Sequence, residues 1–468
     1  MTREKNKGKK TDNKKLKEEL FQEKKSSWQY IKDHKRIFDF ADSYKKFIEK
    51  SKTERLCVEN IRSVLDKNGF KDMDNFKKLK KGDRIYRIIK GKSIIAAVVG
   101  ESFEKLKIIG SHIDSPRLDL KPTPLYEDSE LALLKTHYYG GIKKYHWVNV
   151  PLSLHGIIHT KKGKKVQLQI GENEDEPKFI ISDLLIHLSR DQLKKEGSKV
   201  IEGEQMNVYF GHCPVNSDEL NEKIKFNVLK KLYEEHGIVE EDFNFAELQF
   251  VPALKPIDIG IDKSMIGAYG HDDRACAYAS MEALVDSKPT DTAIALFVDK
   301  EEIGSVGNTG AQSFLLQDFI NDYAVLVGCS KDLLRNAESI SADGTCAMDP
   351  THKEVFDAQN TNYIGRGVSI DKYGGSGGKY NTNDAHAEYM QKIRNVIEKN
   401  NIPWQTGELG KVDMGGGGTI AMFLSNYGMD CVDAGPCILG MHSTCEVISK
   451  ADLYCSYLLY KGFFEDSD

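Results

Sequence analysis

The chain has 468 residues, with 66 Lys+Arg against 71 Asp+Glu, 13 His, nine Cys and a formal net charge of −5. That length admits two or three domains with a substantial core, and the near-balanced charge excludes a whole-protein field that would draw it to nucleic acid. The longest apolar runs, 94–99 and 292–298, fall far short of the ~20 residues a membrane span needs.

The opening MTREKNKGKKTDNKK has no apolar core of the kind a signal peptide carries. Nine cysteines are scattered singly, without paired spacing, so a secreted disulfide framework is not expected and a reducing, cytoplasmic setting is. Residues 1–27 form a polar, Lys-rich extension, read as a solvated segment. A nucleic-acid arm is the lesser alternative, since no aromatic platform is interleaved with the charges.

Between 37 and 69 the apolar residues Phe38, Ala41, Tyr44, Phe47 and Ile48, then Leu56, Ile61, Val64 and Leu65, follow helical spacing. Short β-branched runs at 84–89, 93–99 and 106–110 predict strands, the last two apolar enough to lie inside a sheet. From 120 to 258 the texture changes to alternating segments at 131–139, 150–160 and 165–170, with charged helical stretches near 183–195 and 217–236. This reads as a β-rich module inserted into the first. From 259 the chain alternates again, with strands predicted at 293–298, 323–328 and 429–433 and helices at 273–285, 311–321, 384–399 and 450–461. The sum is an α/β domain, 28–119 plus 259–468, interrupted by an insert at 120–258.

Five short islands place His and carboxylates beside strand ends or glycines. His112 follows the strand 106–110, at the carboxyl end where α/β folds hold ligands. Asp114, two residues on, lies on the same side of an extended chain and is placed to accept the free ring N–H of a metal-bound His112. A plain structural pair is the common alternative. Asp272-Asp273-Arg274 opens a helix; such acids are ordinarily caps, though two in succession let one project into a site while the other caps or pairs with Arg274. Glu301-Glu302 follows the strand 293–298, where buried charge is costly unless metal or proton chemistry uses it. Asp343 ends another apolar segment, and His442 precedes the last helix. His386 reads as a helix-surface residue, and His137, His155 and His212 as ordinary residues of the insert. Together the islands supply the ligands for two divalent ions bridged by one carboxylate; zinc suits the N/O set, with cobalt or manganese as substitutes.

The ordered set His112, Asp114, Asp272, Glu301, Glu302, Asp343 and His442 resembles the co-catalytic zinc aminopeptidases. The strings GSHIDSPRLDLKP, DKEEIGSVGNTGA, SADG and GMHSTCEVISKADL are similar to the aspartyl aminopeptidase family in particular. The resemblance implies a zinc-exopeptidase-like three-layer α/β/α catalytic domain with an inserted β-rich dimerisation domain. It implies His112, Asp272, Glu302, Asp343 and His442 as ligands of two zinc ions, with Asp272 bridging. Glu301 becomes the general base toward the attacking water, and Asp114 joins the catalytic set as the partner of the His112 ring. Peptides with a free N-terminus become the substrates. It also implies assembly through the insert into dimers and a tetrahedral dodecamer, with His187 of IISDLLIHLSR reaching a neighbouring active site. The run KYGGSGGKYNT is similar to the family's substrate-pocket Lys and Tyr, giving Lys372 and Tyr380. The sequence departs from acid-preferring members at Cys346, where they carry His, and in GGIKKYHWVNVPLSL. Acidic and neutral (leucine-type) specificity therefore both stay open. A carboxypeptidase or N-acyl amino-acid deacylase on the same metals is a further alternative, and a shell or cargo protein without activity the remotest. The run Gly415–Gly418 lacks the Lys-Ser/Thr ending of a phosphate loop and reads as a turn near the site, with Thr419 opening a helix.

Overall fold

A computed structural model describes residues 13–22, 26–329 and 332–467; the rest of the Lys-rich extension, at 1–12 and 23–25, lies outside the described residues. A nine-stranded mixed sheet runs, in spatial order, Lys71–Asp72, Arg84–Ile89, Ser93–Val98, Asp291–Val298, Ser102–His112, Glu338–Ser341, Asp430–Gly435, Val368–Asp371 and Trp404–Gln405. Its four central members, from Asp291–Val298 to Asp430–Gly435, are mutually parallel. Register pairs Val298 with His112, Ser341 with Gly110, and Ser341 with Asp433. The carboxyl ends of all four strands, and the acids that follow them, therefore meet at one edge of the sheet.

The strands are apolar on both faces, as a covered parallel sheet requires. Ile94, Ala96, Ala293, Ala295 and Phe297 face one core cluster, under the helices His34–Lys50, Glu54–Lys67, His271–Asp286, Ala387–Lys399 and Lys450–Glu465. Ile95, Ala97, Ile294, Leu296 and Val298 face the other, under Leu315–Val327 and Ala421–Ser425. The period-2 alternation of a strand thus becomes the middle of three layers.

The helical spacing read over 37–69 resolves into two helices, His34–Lys50 and Glu54–Lys67; Thr53 caps the second by accepting the Leu56 N–H at 3.2 Å. Two expectations are corrected. Residues 323–328 are no strand: Leu315, Leu316, Phe319, Ile320 and Tyr323 keep helical spacing on the sheet, and the helix Leu315–Val327 runs on to a left-handed Gly328 (φ +73). Residues 183–195 form only short 3₁₀ turns, Ile186–Leu188 and Gln192–Lys194, because their leucines find no neighbouring core and stay exposed. The strands Val368–Asp371 and Trp404–Gln405 were not anticipated, being short and partly polar.

In chain order, between the paired strands Ser102–His112 and Asp291–Val298, the chain forms a separate six-stranded antiparallel sheet, built from Arg117–Asp128 through Glu247–Pro252. It has its own apolar cluster around Leu118, Leu134, Trp147, Phe179 and Phe250. A five-stranded sheet that includes Met265–Ala268 and Glu446–Ser449 then leads the chain back toward the central strand ends. In the six-stranded sheet Gly156 adopts φ +141, and a Cβ there would collide with the Glu247 carbonyl of the paired strand. Gly163 is also left-handed (φ +79) but has open space around it. Gly156→Ala is expected to cost about 3 kcal/mol and Gly163→Ala about 1 kcal/mol; thermal melts of the two variants, side by side, check the difference.

Candidate metal centre

Each acid and histidine of the five islands is delivered by a different element. His112 ends the strand Ser102–His112. Glu301 and Glu302 lie in the 3₁₀ turn Glu301–Ile303, held between left-handed Lys300 and Gly304. Asp343 follows Glu338–Ser341, and His442 sits at φ +64 in the turn between Cys437–Leu439 and Glu446–Ser449. Asp272 stands at the start of the helix His271–Asp286, where it and Asp273 leave helical φ/ψ.

These side chains converge on the Asp272 carboxylate. His112 Nε2 is 3.2 Å from Asp272 Oδ1, and His442 Nε2 is 3.1 Å from Asp272 Oδ2. Glu302 Oε2 lies 3.3 Å from His442 Nε2. Glu301 Oε2 and Asp343 Oδ1 lie 3.8 and 4.0 Å from His112 Nε2. The acids thus gather around the two histidines, Asp343 beside His112 and Glu302 beside His442, with the Asp272 carboxylate between them. Ligand atoms of His112, Asp272 and Glu302 fall within 4.8 Å of one another, as do those of His112, Asp273 and Asp343.

Both imidazoles have their other nitrogen fixed. His112 Nδ1 is 3.1 Å from the Asp114 backbone carbonyl and 3.4 Å from the Asp114 carboxylate. His442 Nδ1 is 2.8 Å from the Gly141 carbonyl, which comes from the insert. With Nδ1–H donating, each Nε2 lone pair points inward, the arrangement a metal-binding histidine needs. Asp114 does more than the sequence suggested. Its carboxylate accepts the Tyr139 hydroxyl at 2.7 Å and the backbone N–H groups of Glu301 and Glu302 at 3.1 and 3.3 Å. Glu446, not singled out in the sequence, is buried and accepts the N–H groups of Asp272 at 3.1 Å and His442 at 2.6 Å. No spacing signal marks Glu446; its role arises only when two sheets meet.

The charge state of the cluster calls for added positive charge. Burial, then repulsion among the acids, pushes Glu301 up to about 7 and raises Glu302 and Asp343 well above the carboxylate range. Burial favours the neutral form of His442, yet its bond to Asp272 and the charge of Glu302 carry it to about 10. Asp272 is held low against its burial by the two histidines. Glu302 Oε1 and both Asp273 oxygens are buried without a hydrogen-bond partner. A donor set of imidazole nitrogens and carboxylates, with orphaned oxygens and mutual repulsion, fits divalent cations that accept N and O ligands.

A cavity of ≈ 550 Å³ opens over this edge, lined by Asp272, Glu301, Glu302, Asp343 and His442 together with a wall beyond them. Gly416, Gly417, Gly418 and Thr419 form part of that wall, and Thr419 accepts the Ala421 N–H at the start of Ala421–Ser425. Three sequence candidates lie away from the cavity lining. Lys372 bonds Asp384 at 2.8 Å and the Tyr380 ring is 69% exposed, whereas their neighbours Tyr373 and Asn381 line the cavity. His187 is exposed on the insert, in the turn Ile186–Leu188.

With that geometry in view, residues 47–464 match the family model described as aminopeptidase I zinc metalloprotease (M18), and the chain belongs to this family. It is a zinc metallo-aminopeptidase, a hydrolase acting on peptides. A Clostridium acetobutylicum relative named "Probable M18 family aminopeptidase 1" is 44% identical over 462 residues, covering 96% of this chain and 99% of the relative. A Thermotoga maritima relative of the same name is 42% identical over 450 residues, covering 95% and 99%. The crystal structure of an M18-family aminopeptidase from Thermotoga maritima superposes with a TM-score of 0.93, covering 96% of this chain and all of that one, at 42% identity. A Saccharomyces cerevisiae structure described as the mApe1 dodecamer shares the fold at a TM-score of 0.72 and 21% identity, covering 91% of this chain and 96% of that one. No helix among the described residues is long and apolar enough to cross a membrane.

Zinc that binds only the folded centre must stabilise it. Chelator-stripped protein is expected to melt lower, and zinc at 100 times its dissociation constant to restore about 2.7 kcal/mol; calorimetry with and without added zinc checks this.

Proposed function

We propose that the chain removes N-terminal residues from peptides with a two-zinc centre. His112, Asp272 and Asp343 hold one ion, and Asp272, Glu302 and His442 hold the other. The observation that carries the reading is the Asp272 carboxylate, whose two oxygens stand 3.2 and 3.1 Å from the Nε2 atoms of two different histidines. Zinc bound there supplies Lewis-acid charge to the scissile carbonyl and lowers the pKa of water; cobalt or manganese fits the same donors.

Glu301 is not needed as a ligand and is free for proton transfer. It takes a proton from the attacking water and delivers it to the nitrogen of the leaving amine. Asp114 holds Glu301 in position through its backbone N–H, 3.1 Å away, while its neighbour Glu302 is held by the same carboxylate. The unprotonated glutamate then faces the His112 side of the centre, since its Oε2 is 3.8 Å from His112 Nε2. A free α-amine entering the cavity meets carboxylates, which favours a cationic N-terminus over a blocked one.

The chain is further proposed to divide into a catalytic domain, 28–119 with 259–468, and a dimerisation insert, 120–258. The support is an exposed apolar run on the insert, with Leu184, Ile186 and Leu188 at 47%, 69% and 68% exposure around His187. Such a patch is expected to be covered by a second subunit, with His187 approaching the neighbour's site and dimers building a tetrahedral dodecamer. Lys372 and Tyr380 share a loop with the lining residue Tyr373 but stand outside the cavity lining, so their proposed substrate contact is at the cavity mouth and not with the N-terminal side chain. A cytoplasmic setting agrees with nine free cysteines.

Glu301→Gln keeps shape and removes the proton acceptor. Turnover of a free-N-terminus peptide anilide should fall by ~10³-fold while zinc content and sedimentation stay as in the parent. Near-parental turnover would remove Glu301 from the mechanism.

A further inference from the structure

Beyond the metal centre, the cavity wall carries two more carboxylates. Asp371 ends the strand Val368–Asp371, and antiparallel register sets it directly opposite Asp433 of Asp430–Gly435. Directly opposed residues on neighbouring strands project from the same face, and like charges so placed repel. Both residues line the cavity that holds Asp272, Glu301 and His442. Asp433 is buried and accepts the Thr419 hydroxyl at 2.7 Å. Asp371 accepts the Ser369 hydroxyl at 2.6 Å and the Asn362 amide at 3.2 Å. These donors are neutral: they hold the two carboxylates in place without supplying positive charge. Burial, with Asp371 adding to it, pushes Asp433 up to about 7.

The acids beside the two histidines are matched by metal charge, but this second pair is not. Among the described residues lining the cavity there is no Lys or Arg. The two lysines of the adjoining loop, Lys372 and Lys379, are both engaged by Asp384, at 2.8 and 3.1 Å. The remainder of the wall is uncharged and largely apolar, with Tyr373, Leu409, Met422, Phe423 and Met441.

We propose that the Asp371–Asp433 pair sets the specificity of this cavity, which admits an uncharged, apolar N-terminal residue and rejects aspartate and glutamate. The inference rests on the reading of the cavity as the site of N-terminal hydrolysis. An acidic side chain there gives up its hydration to face two carboxylates and gains no cation in return. A leucine or methionine side chain instead buries apolar surface against Leu409, Met422 and Phe423. A lysine must give up its hydration to meet two carboxylates already held by the Thr419 and Ser369 hydroxyls and the Asn362 amide, and that desolvation offsets much of the charge attraction.

The test is kcat/KM of the zinc-loaded full-length enzyme on the p-nitroanilides of Leu, Met, Lys, Asp and Glu. Leu and Met should exceed Asp and Glu by at least about 100-fold and should exceed Lys. Asp371→Asn and Asp433→Asn should each raise the Glu-to-Leu ratio of kcat/KM by roughly tenfold, a ratio that does not depend on how much of the variant folds. A second readout needs no turnover: in thermal melts of the Glu301→Gln protein, free leucine should stabilise and free glutamate should not. Asp or Glu cleaved as fast as Leu, Lys faster than Leu, equal stabilisation by glutamate, or an unchanged ratio in both variants would each overturn the assignment. Cleavage of N-blocked substrates only, with no free-amine anilide turned over, would overturn the aminopeptidase reading and the inference with it.

Discussion

One carboxylate held between two imidazoles is the constraint on which the rest of the molecule depends. Asp272 must present one oxygen to His112 and the other to His442, yet these residues come from a helix start, a strand end and a tight turn. Asp272 and His442 are aligned by a single buried side chain, Glu446, which accepts the backbone N–H of each. His112 is aligned by the parallel register of the central sheet, which also brings Asp343 and the Glu301–Glu302 turn to the same edge. A cluster of this kind is unfavourable by itself, because buried like charges repel at short range in a medium of low polarity. Its persistence in the fold is intelligible as a site kept for cations.

The insert is part of this machinery as well as a separate layer of structure. Tyr139 donates to Asp114, the same carboxylate that holds the Glu301 and Glu302 backbones, and the Gly141 carbonyl fixes the ring of His442. Behind Tyr139 the Arg117 guanidinium lies 3.7 Å from its ring centroid and 3.6 Å from Glu54, a buried acid of the helix Glu54–Lys67. Buried charges in such a chain are costly to unpair, so the six-stranded sheet and the central sheet are tied together at the carboxylate that holds the Glu301 and Glu302 backbones.

Much of this was legible in the sequence, for identifiable reasons. The buried strands at 93–99 and 293–298 are continuous apolar runs with no competing helical reading, and both lie where expected. The five islands were visible because each sets acids or His against a strand end or glycine, and the fold brings all five together. What failed was local. At 323–328 the apolar run Ala324–Val327 looks like a strand, but Phe319, Ile320 and Tyr323 continue the helix that precedes it. At 183–195 an amphipathic pattern had no core to pack on, so the periodicity produced turns. Glu446, Tyr139 and the Asp371–Asp433 pair were invisible because their meaning lies in contacts between distant strands, which spacing along the chain does not encode.

The account stands or falls on two ions sharing Asp272. Anomalous diffraction from zinc-soaked crystals of the full-length chain, recorded on both sides of the zinc absorption edge, tests this directly. Two peaks per subunit about 3.5–4 Å apart are expected, one touching His112 and Asp343, the other His442 and Glu302, with Asp272 between them. A single peak, or a pair that leaves Asp272 uncoordinated, would contradict it.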